Sequence, residues 1–265
     1  MRIVTSQTTV IATTVIQSQV ILNSEAGSFG NVQVTSEANS RQVDLQGNFT
    51  GSISVAAASS TVVIAQGSNV SQLNVAASTT IVSNGIVSQL SVTSAAVNSQ
   101  VNLQGSFLTT VVSLAAAGST LNVVGQNTSV SQIQVAAAVT INSSGTVNQV
   151  VTTAGAENQQ VKFVGLFSAT TIIVATEGST INVAQNTTIA TIRLVNITTA
   201  SLISNGTVTT VQSTTVVSVV LTGSDTALKD RAKTAAINAI NALPATITAS
   251  DKAAVGRARE LVNGA

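Results

Sequence analysis

The sequence predicts a mainly β protein: a single-stranded parallel β-solenoid, or β-helix, of about ten coils of about 20 residues, followed by a small C-terminal α-helical hairpin. Three observations carry this. Gly27, Gly47, Gly67, Gly85, Gly105, Gly125 and Gly145 recur at intervals of 18 or 20 residues, and Gly165, Gly206 and Gly223 continue the series. Runs rich in Val, Ile and Thr with period-two alternation flank each glycine, the mark of half-buried strands. From Ser224 onward the charge density rises and the apolar period becomes helical. A unit this short cannot bury its apolar face alone, so the coils must stack and share one core. The expected division is 1–223, solenoid, and 224–265, a helical hairpin that is a cap or the start of a truncated helical module.

Along the chain, VDLQG, TVVIAQG, TTIVSNG, VNLQG, TLNVVG, VTINSSG and VKFVG precede the glycines, and FTGSISV, VSQLNV, VSQLSV, FLTTVVSL, VSQIQV and VNQVV follow them. The glycine with its Asn, Gln or Ser neighbour reads as a turn, because glycine takes positive φ without a steric penalty. Each coil is thus strand, turn, strand, turn. Aligning the coils on the glycine gives an inward column of Phe29, Phe49, Val70, Val87, Phe107, Val130, Val147, Phe167, Ile189 and Val208. A second inward column runs from Val32 to Val211 through Leu90, Val111 and Ile133, and an outward column between them runs from Asn31 to Thr210 through Gln89, Thr110 and Gln132. QVDLQGNF at Gln42 returns as QVNLQGSF at Gln100 and QVKFVGLF at Gln160, so three coils form a block of about 60 residues with Phe49, Phe107 and Phe167 in every third layer. At about 4.8 Å per coil the rod is roughly 48 Å long.

Composition narrows the function. Charged residues are 7% of the 265, none lies between Leu45 and Ala156, and the net charge is +1. That balance lacks the basic surplus on which phosphate-backbone binding relies, so no nucleic-acid partner is expected. Mean hydropathy is +0.45, yet no run approaches the roughly 18 apolar residues of a spanning helix. A membrane β-barrel needs aromatic girdles, and the chain has no Trp, no Tyr and five Phe. Cys and His are absent. Met1-Arg2-Ile3-Val4 enters a strand pattern at once, so an exported protein would be read here in its mature form.

Past Gly223, Ser224 or Asp225 can cap a helix to about Leu243, with Leu228, Ala232, Ala236, Ile240 and Leu243 on one face and Pro244 ending it. A second helix starts near Asp251, with Ala254, Val255, Ala258, Leu261 and Val262 apolar on one side. This segment is expected to pack over the last coil near Val216 to Leu221.

The stretch AAINAINALPATITASDKAAVGRARELVNGA resembles the small helical module repeated in surface and S-layer-associated proteins of Gram-positive bacilli: an Ala-rich helix, Leu-Pro, an Ile-Thr linker, then Asp-Lys-Ala-Ala-Val. The Ser/Thr/Val/Ala coils are similar to the β-solenoid regions of such proteins. The family module usually has a third helix that this chain lacks, and no surface-layer-homology motif or LPxTG signal is visible. The resemblance implies an extracellular location at a bacterial cell surface and a structural role in a layer, stalk or fibre.

Chemistry-bearing residues are sparse, so no catalytic, cofactor-binding or metal-binding residue is assigned and no cofactor is expected. Polysaccharide-active β-helix enzymes require clustered carboxylates; here Arg41 with Asp44, and Glu157 with Lys162, read as isolated surface ion pairs. Seven Asn-x-Ser/Thr sequons, at Asn48, Asn69, Asn127, Asn142, Asn186, Asn196 and Asn205, read as turns. Thr61, Thr80, Thr120, Thr140 and Thr180 share a position before the glycine, a broken column that leaves an ice-binding role as a minor alternative. The leading expectation is a non-enzymatic structural protein that self-associates or adjoins other domains of a larger surface protein. The main alternative is an adhesin whose polar face binds cell-wall or other polysaccharide.

Overall fold

A computed structural model describes residues 1–5, 9–25, 27–214, 218–241 and 251–256. Strands β1 (Arg2–Thr5) and β2 (Val10–Ile16) form the first coil, and β3 (Val20–Ser24) and β4 (Ser28–Val34) the second. A three-coil block follows: β5 (Gln42–Gln46) with β6 (Asn48–Val55), β7 (Ser60–Ile64) with β8 (Asn69–Val75), and β9 (Thr79–Ser83) with β10 (Ile86–Val92). The block repeats with one long strand β11 (Gln100–Leu114), then β12 (Thr120–Val123) with β13 (Ser129–Val135), and β14 (Val139–Ser143) with β15 (Thr146–Thr152). It repeats again as β16 (Gln160–Val174), β17 (Thr180–Val183) with β18 (Thr188–Leu194), and β19 (Thr199–Ser204) with β20 (Thr207–Ser213). Strand β21 (Ser218–Thr222) and helix α1 (Thr226–Asn241) end the order.

The chain is therefore a parallel β-solenoid of about eleven coils, one more than the glycine count predicts. Two coils carry no glycine between their strands, that of β1 and β2 at the N-terminus and that of β17 and β18, whereas Gly223 follows the single strand β21. Every strand pairs in parallel with its counterpart one coil away, and strands alternate between two sheets. We call the sheet that begins with β1 sheet A and the one that begins with β2 sheet B. The long strands β11 and β16 turn a corner and serve both.

Alternation places Val, Ile, Leu and Phe between the sheets, in one continuous core from Ile16 to Val208. Phe29 stacks on Phe49 in the next layer, with centroids 5.3 Å apart and planes 11° apart. Phe163, which the glycine-aligned columns omit, faces Phe167 edge-on at 5.3 Å. Both pairs bury large apolar area at favourable ring geometry.

Two rungs of the predicted columns depart from expectation: Val211, expected inside, is 36% exposed on the last rung of sheet B, and the Val111 rung is displaced. Leu90 pairs with Val112, and Val112 with Ile133, so Val112 and not Val111 is the core residue. Val111 instead falls in the outward column between Gln89 and Gln132. Thr110, expected outside, is buried, and its hydroxyl donates to the Val87 carbonyl at 2.5 Å. The cause is a bulge between Phe107 and Val111, repeated between Phe167 and Thr171, where Thr170 donates to Val147 in the same way. A bulge adds a residue to one strand and so moves every later residue by one place.

Helix α1 begins where predicted. The Asp225 carboxylate accepts the Leu228 backbone N–H at 3.0 Å, the bond of an N-cap. Leu228 and Ala236 are buried, whereas Ile240, expected on the packed face, is 46% exposed. The helix packs on β20; of the packing site predicted near Val216 to Leu221, Val216 and Val217 lie outside the described residues. Leu243, Pro244 and most of the second predicted helix lie outside the described residues, of which 252–256 are helical.

Candidate functional site: coil corners and outer ladders

The predicted turn glycines are three kinds of position. Gly47, Gly105 and Gly165 have φ of +94°, +98° and +100°, and a Cβ on them would lie 2.1–2.2 Å from the carbonyl oxygens of Ser24, Ser83 and Ser143 in the preceding coil. Both conformation and space demand glycine there. Their N–H groups donate forward, at 3.0 Å each, to the hydroxyls of Ser68, Thr128 and Thr187. Those three hydroxyl residues are buried, so each corner hydrogen bond is closed without water. Gly223 continues this set against the Ser204 carbonyl.

Gly85, Gly145 and Gly206 are needed for a different reason. Their φ is not positive, but a Cβ would fall 2.2–2.5 Å from the carbonyls of Ser68, Thr128 and Thr187. Gly67 and Gly125 have positive φ and open space. Gly27 accepts a bond from the Ser24 hydroxyl. Gly30 and Gly51, off the glycine period, are equally tight: a Cβ on Gly51 would lie 2.4 Å from the Gly30 carbonyl carbon. Phe29, Phe49, Phe107 and Phe167 all sit in the core.

The opposite corner has no glycine in the first coil of each block. Ser40, Asn98 and Asn158 occupy φ of +58°, +56° and +55°, a region that Asn tolerates better than most residues. Of the sequons, Asn186 and Asn196 also adopt positive φ and are turns as expected. Asn142 is not a turn. It stands in β14, where its amide donates to Asn122 at 2.8 Å, Asn122 donates to Asn102 at 2.7 Å, and Asn102 donates to Thr80 at 3.2 Å. Asn48 and Asn69 open strands β6 and β8.

That asparagine ladder lies on the outer face of sheet A over four rungs, from β9 to β14. On sheet B, Gln132 donates to Gln149 at 2.7 Å and Asn74 to the Ser52 hydroxyl at 2.8 Å. The five threonines do not form one line: Thr61 pairs with Thr80 and Thr120 with Thr140, but Thr80 pairs onward with Asn102 and Thr140 with Lys162. A two-residue slip between blocks breaks the column.

The expected Arg41–Asp44 and Glu157–Lys162 pairs are not made. Asp44 accepts from the Gln42 amide at 2.7 Å, and the ion pair within 4 Å among the described residues is Arg2–Glu25, at 3.6 Å and half exposed. Gln42 lies beside Asp44 on the strand face, so the neutral amide meets the carboxylate first. Glu177 makes the densest polar contact and had no sequence signal. Its carboxylate accepts the backbone N–H groups of Thr198, at 2.7 Å, and Thr199, at 3.0 Å, together with both hydroxyls. These bonds, the Thr198 N–H foremost, hold its carboxyl below the usual value. The Thr35 hydroxyl does the same for Glu37.

Among the described residues no three of His, Cys, Asp and Glu come together as a metal site would require, and no helix is long and apolar enough to cross a membrane. A shallow cavity of about 230 Å³ lies at the β16 bulge between Gln126, Thr146, Leu166 and Ser168. The chain matches no protein-family model, no curated protein and no solved structure.

Proposed function

We propose that this chain is a structural, non-enzymatic component of a bacterial cell-surface layer, stalk or fibre. The observation that supports it most is how the polar side chains are used. The asparagine ladder, the corner hydroxyls and Glu177 hydrogen-bond to the neighbouring coil instead of converging on a cavity. Such side chains stiffen a rod, since each bond joins one coil to the next. The helical stretch from Ala235 supplies the surface-protein resemblance. Immunogold labelling of intact cells that express the chain tests the reading: label on the outer surface is expected, and label confined to the cytoplasm overturns it.

A second reading, an adhesin, is favoured by one observation. The outer face of sheet B presents a column of uncharged side chains, Gln33, Ser54, Asn74, Ser91, Ser113 and Gln134, in continuous register. Such a face can hydrogen-bond a neutral glycan. Saturable binding to one glycan class on an array would select this reading.

A further inference from the structure

The two sheets end at different heights. Among the described residues the last strand of sheet B is β20, which pairs with β18. Sheet A continues one rung further, because β21 pairs with β19. The C-terminal end is therefore a step, and helix α1 covers the Val208 end of the recess above β20, where the next sheet B strand would lie, while Val211 to Ser213 stay exposed. Its side chains reproduce what that strand would do. The Asp225 carboxylate accepts the Val208 N–H at 3.0 Å, and the Arg231 guanidinium donates to the Val208 carbonyl. Both backbone groups that a parallel strand would take from Val208 are thus occupied by one helix.

The geometry points to α1 as a plug over a self-complementary docking step, whose alternative occupant is β21 of a second copy of this chain. This deepens the self-association element of the structural reading and rests on it. A two-fold axis that exchanges the sheets lays the projecting β21 of one copy against the recessed β20 of the other, and the reverse, so both steps fill in one closed contact. A strand of seven residues is about 23 Å long and the sheets lie about 10 Å apart, so with side chains each end offers roughly 450 Å². Two such faces total about 900 Å², below the usual size of a stable interface, about 1,200–2,000 Å². A tethered helix therefore outcompetes the second copy, because its effective concentration is high. The hold is local: of its described apolar side chains Leu228 and Ala236 are buried, while Ile237 and Ile240 face outward at 56% and 46% exposure.

The test is the mass of the full chain by light scattering after size exclusion, at about 10 μM and about 300 μM. Wild type should run at 26.5 kDa. The variant Asp225→Ala/Leu228→Ser/Arg231→Ala should shift to about twice that mass at the higher concentration, and adding Val220→Pro, on the strand that would dock, should restore the monomer. Adding Val10→Lys, at the other end of the rod, should change nothing. A triple variant that stays monomeric with its β circular dichroism intact overturns the proposal. So do filaments in place of dimers, or suppression by Val10→Lys. If the triple variant loses its β-signal, Arg231→Ala alone decides, since it keeps the helix N-cap: a measurable dimer fraction at the higher concentration supports the plug, and none overturns it. Surface labelling of cells is unaffected by any of these results, so failure here and failure of the cell-surface reading are separable.

Discussion

Gly105 and Gly67 look equivalent in the sequence, each closing a strand at a period of 20 or 18, yet their surroundings differ. Gly105 has φ of +98° with the Ser83 carbonyl oxygen 2.1 Å from where a Cβ would sit, and Gly67 has φ of +77° with nothing within 4 Å. Gly67→Ala then carries only the left-handed backbone cost, about 1 kcal/mol, whereas Gly105→Ala adds a backbone clash and should exceed about 3 kcal/mol. Thermal unfolding of the two variants by circular dichroism checks this, and equal losses would mean that the corner can open to admit a methyl group. The inward and outward columns make a second contrast. Phe107→Asp should unfold or split the rod, because it buries an uncompensated charge in the stack, while Gln89→Asp should cost less than about 1 kcal/mol. Comparable melting losses would put Gln89 in the core.

The coil corner at 195–199 depends on Glu177, whose carboxylate accepts from four donor groups of the next coil. Its folded pKa is lowered from an ordinary value of 4.5 by those bonds, so the stabilisation is fully present above that value and is lost as pH falls through the folded pKa. Melting temperature should therefore fall on acidification below about pH 4.5, and Glu177→Gln should flatten that fall while lowering the plateau at neutral pH. Glu37, lowered by its bond from Thr35, leaves a residual slope in the variant. A variant with the wild-type acid limb would show that the carboxylate contributes nothing to the corner. None of this was legible in the sequence, because Glu177 and Thr198 are 21 residues apart and belong to different coils. The strands were legible, since alternation and β-branching act within one run of residues. Thr110 and Val111 were misplaced because a bulge is set by the fit of one coil on the next, and glycine spacing does not encode it. Asn142 misled for a related reason: its ladder exists only after Asn122 has stacked below it.

Across the molecule the core has no break from Ile16 to Val208, but its ends are unlike its middle. A coil in the second block, such as that of Leu103 and Phe107, has a paired strand on both sides in each sheet. The terminal rungs have one side only: β1 pairs with β3, β2 with β4 and β21 with β19 among the described strands. Val10 at the first rung and Val220 at the last are correspondingly exposed, at 64% and 58%. In a linear stack, opening energy is the sum of a coil's own stability and its interfaces, and an end coil breaks one interface where a central coil breaks two. Hydrogen exchange should therefore be slowest at the strand amides of β11 to β15 and should rise toward both ends. The C-terminal rise is expected to be interrupted at Val208, whose N–H is held by Asp225, and Asp225→Ala should remove that local protection while leaving β11 unchanged. A flat profile from β2 to β20 would instead mean that the rod opens only as a whole, with the interface between coils far stronger than any coil alone.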